Sequence, residues 1–171
     1  MEPIAVKNLD IYGSDPLEWS RPRDLLATSL ANADTAVYLG TASPQGRPHS
    51  AGVGASYHDG DLYFVSGPGT RKSRNVEANP ACALSMRLPG MDLVFEGDAH
   101  RVTDPEVVRE IAAVYAAGGW PAEADGDALT APYSAPSAGP PPWYVYRITV
   151  RSAVAVASAE PHGATKWTFG R

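Results

Sequence analysis

The 171-residue sequence predicts one mainly β (α+β) domain, a small antiparallel barrel of about six strands with peripheral helices. The β-rich segments are joined by short turns, and hairpins are the natural link between antiparallel neighbours. Only one helical stretch is both long and well bounded, so helices flank the sheet rather than alternate with it. The length suits a single core, residues 1–171, and is short for two.

Residues 1–16 are polar and punctuated by glycine and proline, which predicts an N-terminal arm without a core of its own. Pro22 to Leu30 puts Leu25, Leu26 and Leu30 on one helical face, and Asn32-Ala33-Asp34 ends the helix. Thr35 to Ala42 is the first strand. Ser43 to Arg47 is a hairpin turn, and Pro48 to Tyr57 is the return strand. That strand is thin. Gly52 and Gly54 share a face, so a flat ligand or another segment packs directly on its backbone. His58-Asp59-Gly60-Asp61 turns the chain into a third strand, Leu62 to Ser66.

Ser66-Gly67-Pro68-Gly69-Thr70-Arg71-Lys72 then joins that strand to a short helix, which Asn79-Pro80 stops. A hydroxyl and two cations at a helix N-terminus, beside free backbone N–H groups, suit a phosphate or carboxylate. A solvated basic first turn is the plainer alternative.

Ala81 to Leu88 is a fourth strand, Pro89-Gly90 a turn, and Met91 to Val102 a fifth strand. Thr103-Asp104-Pro105-Glu106 is a helix start with a capping-box pattern and an early proline. Val107, Val108, Ile111, Val114 and Tyr115 give that helix an apolar stripe, and Gly118-Gly119 ends it. Residues 118–142 hold six of the chain's 16 prolines and no periodicity, which predicts a long loop. Trp120, Tyr133 and Pro140-Pro141-Pro142 favour a lid or wall over a site. Trp143 to Ser158 is the sixth strand, and Ala164 to Phe169 is an aromatic tail.

Composition excludes several function classes. With 44% apolar and 19% charged residues the chain is of the soluble globular type. A net charge of −5 argues against a nucleic-acid partner. No apolar run approaches a membrane span, and the N-terminus lacks signal-peptide character, so a cytoplasmic location without a membrane partner is expected. The single cysteine, Cys82, lies in an apolar strand and is expected to be a buried structural thiol. The four histidines are scattered, so no metal site is expected. No Ser-His-Asp set or carboxylate pair is evident, and no residue is assigned as catalytic. Glu96 and Asp92 read as structural, while His49 and Tyr57 are the candidate proton donors.

Taken together, the small-residue strand, Asp-Gly, an aromatic strand, Thr70-Arg71-Lys72 and Asn79-Pro80 resemble the pyridoxamine 5′-phosphate oxidase-like superfamily. Ala81 to Met86, Phe95-Glu96-Gly97 and Trp143-Tyr144-Val145-Tyr146-Arg147-Ile148 extend the resemblance. It implies a six-stranded antiparallel split β-barrel that binds FMN or a deazaflavin (coenzyme F-420). The implied phosphate contacts are Thr70, Arg71 and Lys72, assisted by Arg74 and Asn75. The ring would lie against Ser50, Ala51, Gly52, Val53 and Gly54, beside Ser66 and Gly67. A homodimer is implied, with the cofactor at the interface and Lys166 and Trp167 closing the partner's site. The oxidase's arginine and lysine are missing from Ser50 to Ser56, and so is its C-terminal Arg-x-His. Pyridoxamine phosphate oxidation is therefore not expected. The expected activity is hydride transfer between the cofactor and a small organic substrate. The alternatives are a flavin, deazaflavin or haem carrier without turnover, or a barrel that has lost its cofactor.

Overall fold

A computed structural model of the chain describes residues 1–32 and 34–170; Ala33, placed above in the stop of the first helix, lies outside the described residues. The chain runs β1 (Pro3–Asn8), α1 (Ser20–Leu30), β2 (Val37–Ala42), β3 (Pro48–Gly52), β4 (Ala55–His58) and β5 (Asp61–Ser66). It continues with α2 (Arg71–Ala78), β6 (Ala81–Leu88), β7 (Met91–Arg101) and α3 (Pro105–Ala117). The last elements are β8 (Glu123–Asp125), β9 (Ala128–Thr130), β10 (Tyr144–Ala157) and β11 (Ala164–Phe169).

The mainly β, α+β class holds, but there are eleven strands among the described residues rather than six. Nine form one antiparallel sheet, β1-β11-β10-β7-β6-β2-β3, with β5 on β10 and β4 on β5. β8 and β9 form a separate hairpin. The split lies in the 14-residue β10. One edge pairs with β7 along almost its whole length. The other edge pairs first with β5, over Tyr144–Ile148, and then with β11, over Ser152–Val156. A register shift between Val150 and Ser152 marks the change of partner. Gly97 sits opposite that shift, and a Cβ there would collide with the Thr149 carbonyl.

Three sequence-based boundaries change. The N-terminal arm contains β1, which pairs with β11 from Pro3 to Asn8. Its side chains are almost all exposed, so no apolar pattern announces it. The return strand breaks at Val53-Gly54, where β3 leaves β2 and β4 joins β5. The loop over 118–142 contains the short β8–β9 hairpin.

Two apolar clusters hold these elements. Inside the barrel Leu39, Phe64, Leu84, Phe95, Tyr146 and Trp167 are almost fully buried, and α1 adds Leu26. Each such side chain contributes about 1.5–3 kcal/mol. Outside it, α3 packs Val108 and Ile111 against Tyr63 and Val145. Cys82 belongs to the barrel core, and burial pushes its thiol up to about 12. It is structural, as expected. Asp92 pairs with Arg87 at 2.7 Å on the sheet surface and Glu96 accepts from the Ser152 hydroxyl at 3.0 Å, so both acids are engaged within the sheet.

Candidate functional site

The turn from β5 into α2 is built from buried hydroxyls. Thr70 is the N-cap of α2, its side chain accepting from the Ser73 N–H at 3.3 Å. Ser66 and Thr70 hydroxyls lie 2.8 Å apart, and the single proton of the Ser73 hydroxyl has two acceptors within 2.8 Å, Ser66 Oγ and the Gly67 carbonyl. This network fixes the turn and leaves the first helical positions, Arg71 and Lys72, facing outward. Thr70 is thus first a cap, its hydroxyl engaged by Ser66 and Ser73.

A groove opens above this turn. Its cationic end, about 620 Å³, is lined by His49, Ala51, Gly67, Thr70, Arg71, Lys72 and the segment Ser137–Pro142. Its aromatic end, about 420 Å³, is lined by Gly52, Val53, Gly54, Val65, Ser66, Lys72, Tyr115, Trp120, Tyr133 and Trp143. Gly67, Lys72, Ser137 and Ala138 line both, so the two ends are continuous. Among the described residues neither Arg71 nor Lys72 has an ion-pair partner. Burial pulls the Lys72 amine below the usual lysine value. Burial also lowers the His49 imidazole, and the charges of Arg71 and Lys72 add to that. Such a cluster of cations and near-cations has no internal counter-charge.

The wall opposite the turn is the proline-rich segment. Trp120 Nε1 donates to the Tyr133 carbonyl at 2.6 Å, and Trp143 Nε1 donates to the Gly139 carbonyl at 3.2 Å. Trp120 packs against both Tyr115 and Trp143, with ring centroids 5.5 and 5.6 Å away. Ala138 comes so close to the turn that a Cβ on Gly67 would collide with its carbonyl oxygen. Gly67 is therefore required for close approach. On the strand side, a Cβ at Gly52 would meet nothing within 4 Å, whereas one at Gly54 would meet Tyr115 at 3.8 Å. Tyr115 also donates to the Gly54 carbonyl at 3.0 Å. One of the paired glycines thus faces open groove and the other faces a helix side chain.

The predicted residues separate into two groups. Ala51, Gly52, Val53, Gly54, Ser66, Gly67, Thr70, Arg71 and Lys72 line the groove. The rest do not. Ser50 borders a neighbouring surface depression with Glu96 and Arg151. Arg74 donates back to the Gly69 carbonyl and braces the turn. Asn75 is buried, and its amide donates to Thr41 Oγ1 at 3.0 Å. Trp167 is fully buried against Trp19, 5.2 Å between centroids. Lys166 is on β11, where it pairs with Lys7 and Val154, away from the groove. Of the candidate proton donors, His49 lines the groove, and Tyr57 does not. Tyr115, Trp143 and Ser73 were missed. Tyr115 hides in the apolar stripe of α3, and Ser73 differs from a solvated serine only by its spacing from Thr70.

An antiparallel split barrel whose cationic helix start faces a glycine-thinned strand belongs to the flavin-type split barrels. The family model for pyridoxamine 5′-phosphate oxidase matches residues 27–157, and the chain belongs to that family. No curated protein matches it. Among 89 matching solved chains is a pyridoxamine 5′-phosphate oxidase-related, FMN-binding protein from Nostoc punctiforme. It is 14% identical with a TM-score of 0.56, over 92% of this chain and 100% of that one. An F420 reductase is 20% identical with a TM-score of 0.54, over 81% of this chain and 98% of that one. PhzG from Burkholderia lata, solved with tetrahydrophenazine-1-carboxylic acid, is 18% identical with a TM-score of 0.56, over 92% and 95%. At these identities the likeness is one of fold. Among the described residues no helix is long and apolar enough to cross a membrane.

Proposed function

We propose that the groove binds FMN or the deazaflavin F-420 and that the protein is an oxidoreductase acting on a small organic substrate. The observation that carries this reading is the juxtaposition of Arg71 with half-buried Lys72, neither with a carboxylate partner among the described residues, at the mouth of an aromatic chamber. The donor set suits a phosphate: two side-chain cations, the free N–H groups of α2, and His49 close by. The chamber suits a flat ring. Gly52 leaves the strand surface flat, and β3 ends the sheet, so its outer backbone N–H and C=O groups can bond a heterocycle edge. Trp120 and Trp143 supply apolar area on the other side.

When bound, a flavin or deazaflavin supplies the hydride chemistry itself. The chain's own contribution is to hold the phosphate at Arg71 and Lys72, orient the ring along Gly52–Gly54, and exclude water with the Tyr133–Pro142 wall. Among the described residues lining the cationic end, His49 is the side chain able to move a proton near neutral pH.

Two protomers pair, in this reading, through the outward face of β2, β6, β7 and β10. Tyr38, Val94 and Val156 are exposed on that face, with Tyr38 and Val94 in one register row through Ser85. Fluorescence titration of the purified protein with FMN and with F-420 tests the binding. One of the two should saturate at one equivalent per chain, and Arg71→Ala with Lys72→Ala should abolish that saturation. Failure of both cofactors to bind would sink the reading. A binding protein without turnover would share the groove, and cofactor-dependent reduction of an electron acceptor separates it from the enzyme.

A further inference from the structure

The aromatic end of the groove is not backed by solid protein. Behind it, among α1, α3 and β4, lies a separate space of about 340 Å³. Val53, Gly54, Tyr115 and Trp120 line both, so they form the partition between the two spaces. The backbone part of that partition is thin. Gly54 has no side chain, Val53 packs toward the barrel core, and the pair falls in the gap between β3 and β4. The bulk of the wall is therefore supplied by the two aromatic side chains.

Of these two, Tyr115 is fixed to the partition itself. Its hydroxyl donates to the Gly54 carbonyl at 3.0 Å, and its ring meets Trp120 edge-on with centroids 5.5 Å apart. A ring carbon lies 3.8 Å from the place a Gly54 Cβ would take, so the tyrosine fills the room that the glycine leaves. Trp120 is tied elsewhere, through Nε1 to the Tyr133 carbonyl of the proline-rich wall. Swinging Tyr115 aside would break its hydrogen bond and its aromatic contact together.

We propose that Tyr115 is a specificity-determining residue, the end wall that fixes how long a flat ring the groove accepts. The proposal rests on the reading of the groove as a cofactor site. Tyr115 lines the aromatic end and not the cationic end, so it stands away from the phosphate grip at Arg71 and Lys72. A ring tethered at that grip and extended at its far edge runs into a side chain that yields only at the cost of both its contacts. Truncating Tyr115 joins the two spaces and gives the longer ring room.

Fluorescence titration of the full chain tests this with whichever of FMN and F-420 the wild type binds, and with two derivatives of it. One carries an anilino group at ring carbon 8 and the other a benzyl group at ring nitrogen 3, the opposite ends of the ring. The wild type should bind at least one derivative about tenfold or more weakly than the parent, the scale on which an apolar pocket rejects added bulk. Tyr115→Ala and Tyr115→Leu should each raise that derivative's affinity relative to the parent by about tenfold. Tyr115→Phe keeps the ring and should keep the rejection. Tyr133 lines the groove and not the space behind it, so Tyr133→Ala should leave the ratio where it was. The ratio reads fit, because a loss of stability weakens parent and derivative alike. Three results would overturn the proposal while the cofactor reading stands: a wild type that takes both derivatives as tightly as the parent, a ratio that rises in neither truncation, or an equal rise in Tyr133→Ala. Failure of both FMN and F-420 to bind the wild type would end the cofactor reading and this proposal with it.

Discussion

Helices α2 and α3 both start at a side-chain cap, and beyond the cap they differ in every charge. α3 has Asp104 accepting from the Glu106 N–H at 2.9 Å, Pro105 in the first turn, and the Glu106 carboxylate facing the positive end of the helix dipole. That is how a helix is stabilised locally. α2 has Thr70 as its cap, no acid in its first turn, and Arg71 and Lys72 where α3 carries a carboxylate. Cations there oppose the dipole by about 0.3–1 kcal/mol each when partly exposed. One helix start is complete by itself, and the other lacks an acid in its first turn; under the proposed function a phosphate supplies the missing charge.

The largest way to break it is Arg71→Ala with Lys72→Ala. Cofactor binding should fall by about 3–6 kcal/mol, the worth of two charged hydrogen bonds, while removing Glu106 from α3 should leave it unchanged. A calorimetric titration reads both. The same double variant should be more stable without ligand, by up to about 0.6–2 kcal/mol, because both dipole conflicts are gone.

Gly67→Ala attacks the groove's geometry rather than its charge. The new methyl meets the Ala138 carbonyl, and thermal unfolding should show a loss of about 1–3 kcal/mol. Gly69→Ala, two residues on, meets nothing within 4 Å and should be close to neutral. Equal effects of the two would remove the reason for seating the proline-rich wall on this turn.

Capping offers a finer contrast. Thr70→Ala and Asp104→Ala should each cost about 1 kcal/mol in denaturant unfolding, but only Thr70→Ala should also weaken the cofactor. The smallest effect concerns pH. Lys72 loses its proton below the ordinary value of 10.5, so cofactor affinity should fall as alkaline pH rises through the lowered pKa. Ligand-free stability should rise across the same window, because the unfolded chain then holds a proton the folded chain has released. Affinity that stays flat until an ordinary lysine titrates would remove Lys72 from the grip.

How much of this was legible in the sequence follows from how local each feature is. The α2 turn could be read because strand, Gly-Pro-Gly, hydroxyl, cations and Asn-Pro are contiguous. The α3 start could be read from four residues. β1 could not, since a solvent-exposed edge strand held by backbone bonds leaves no apolar alternation at Pro3–Asn8. Lys166 and Trp167 were carried to the site by analogy with the oxidase's C-terminus. The pairing of β11 with both β1 and β10 instead turns Trp167 inward, onto Trp19. Tyr115 shows the same limit from the other side. Its spacing fits the core of α3, and only the break at Val53-Gly54, a tertiary event, gives it a carbonyl to hold.

The most direct measurement compares FMN with riboflavin, which share a ring and differ in the phosphate. If α2 grips a phosphate, wild-type protein binds FMN far more tightly than riboflavin. In the Arg71→Ala, Lys72→Ala variant that difference should collapse while riboflavin affinity stays put. Equal affinities in the wild type, or an FMN preference that survives the double substitution, would contradict the assignment of this turn.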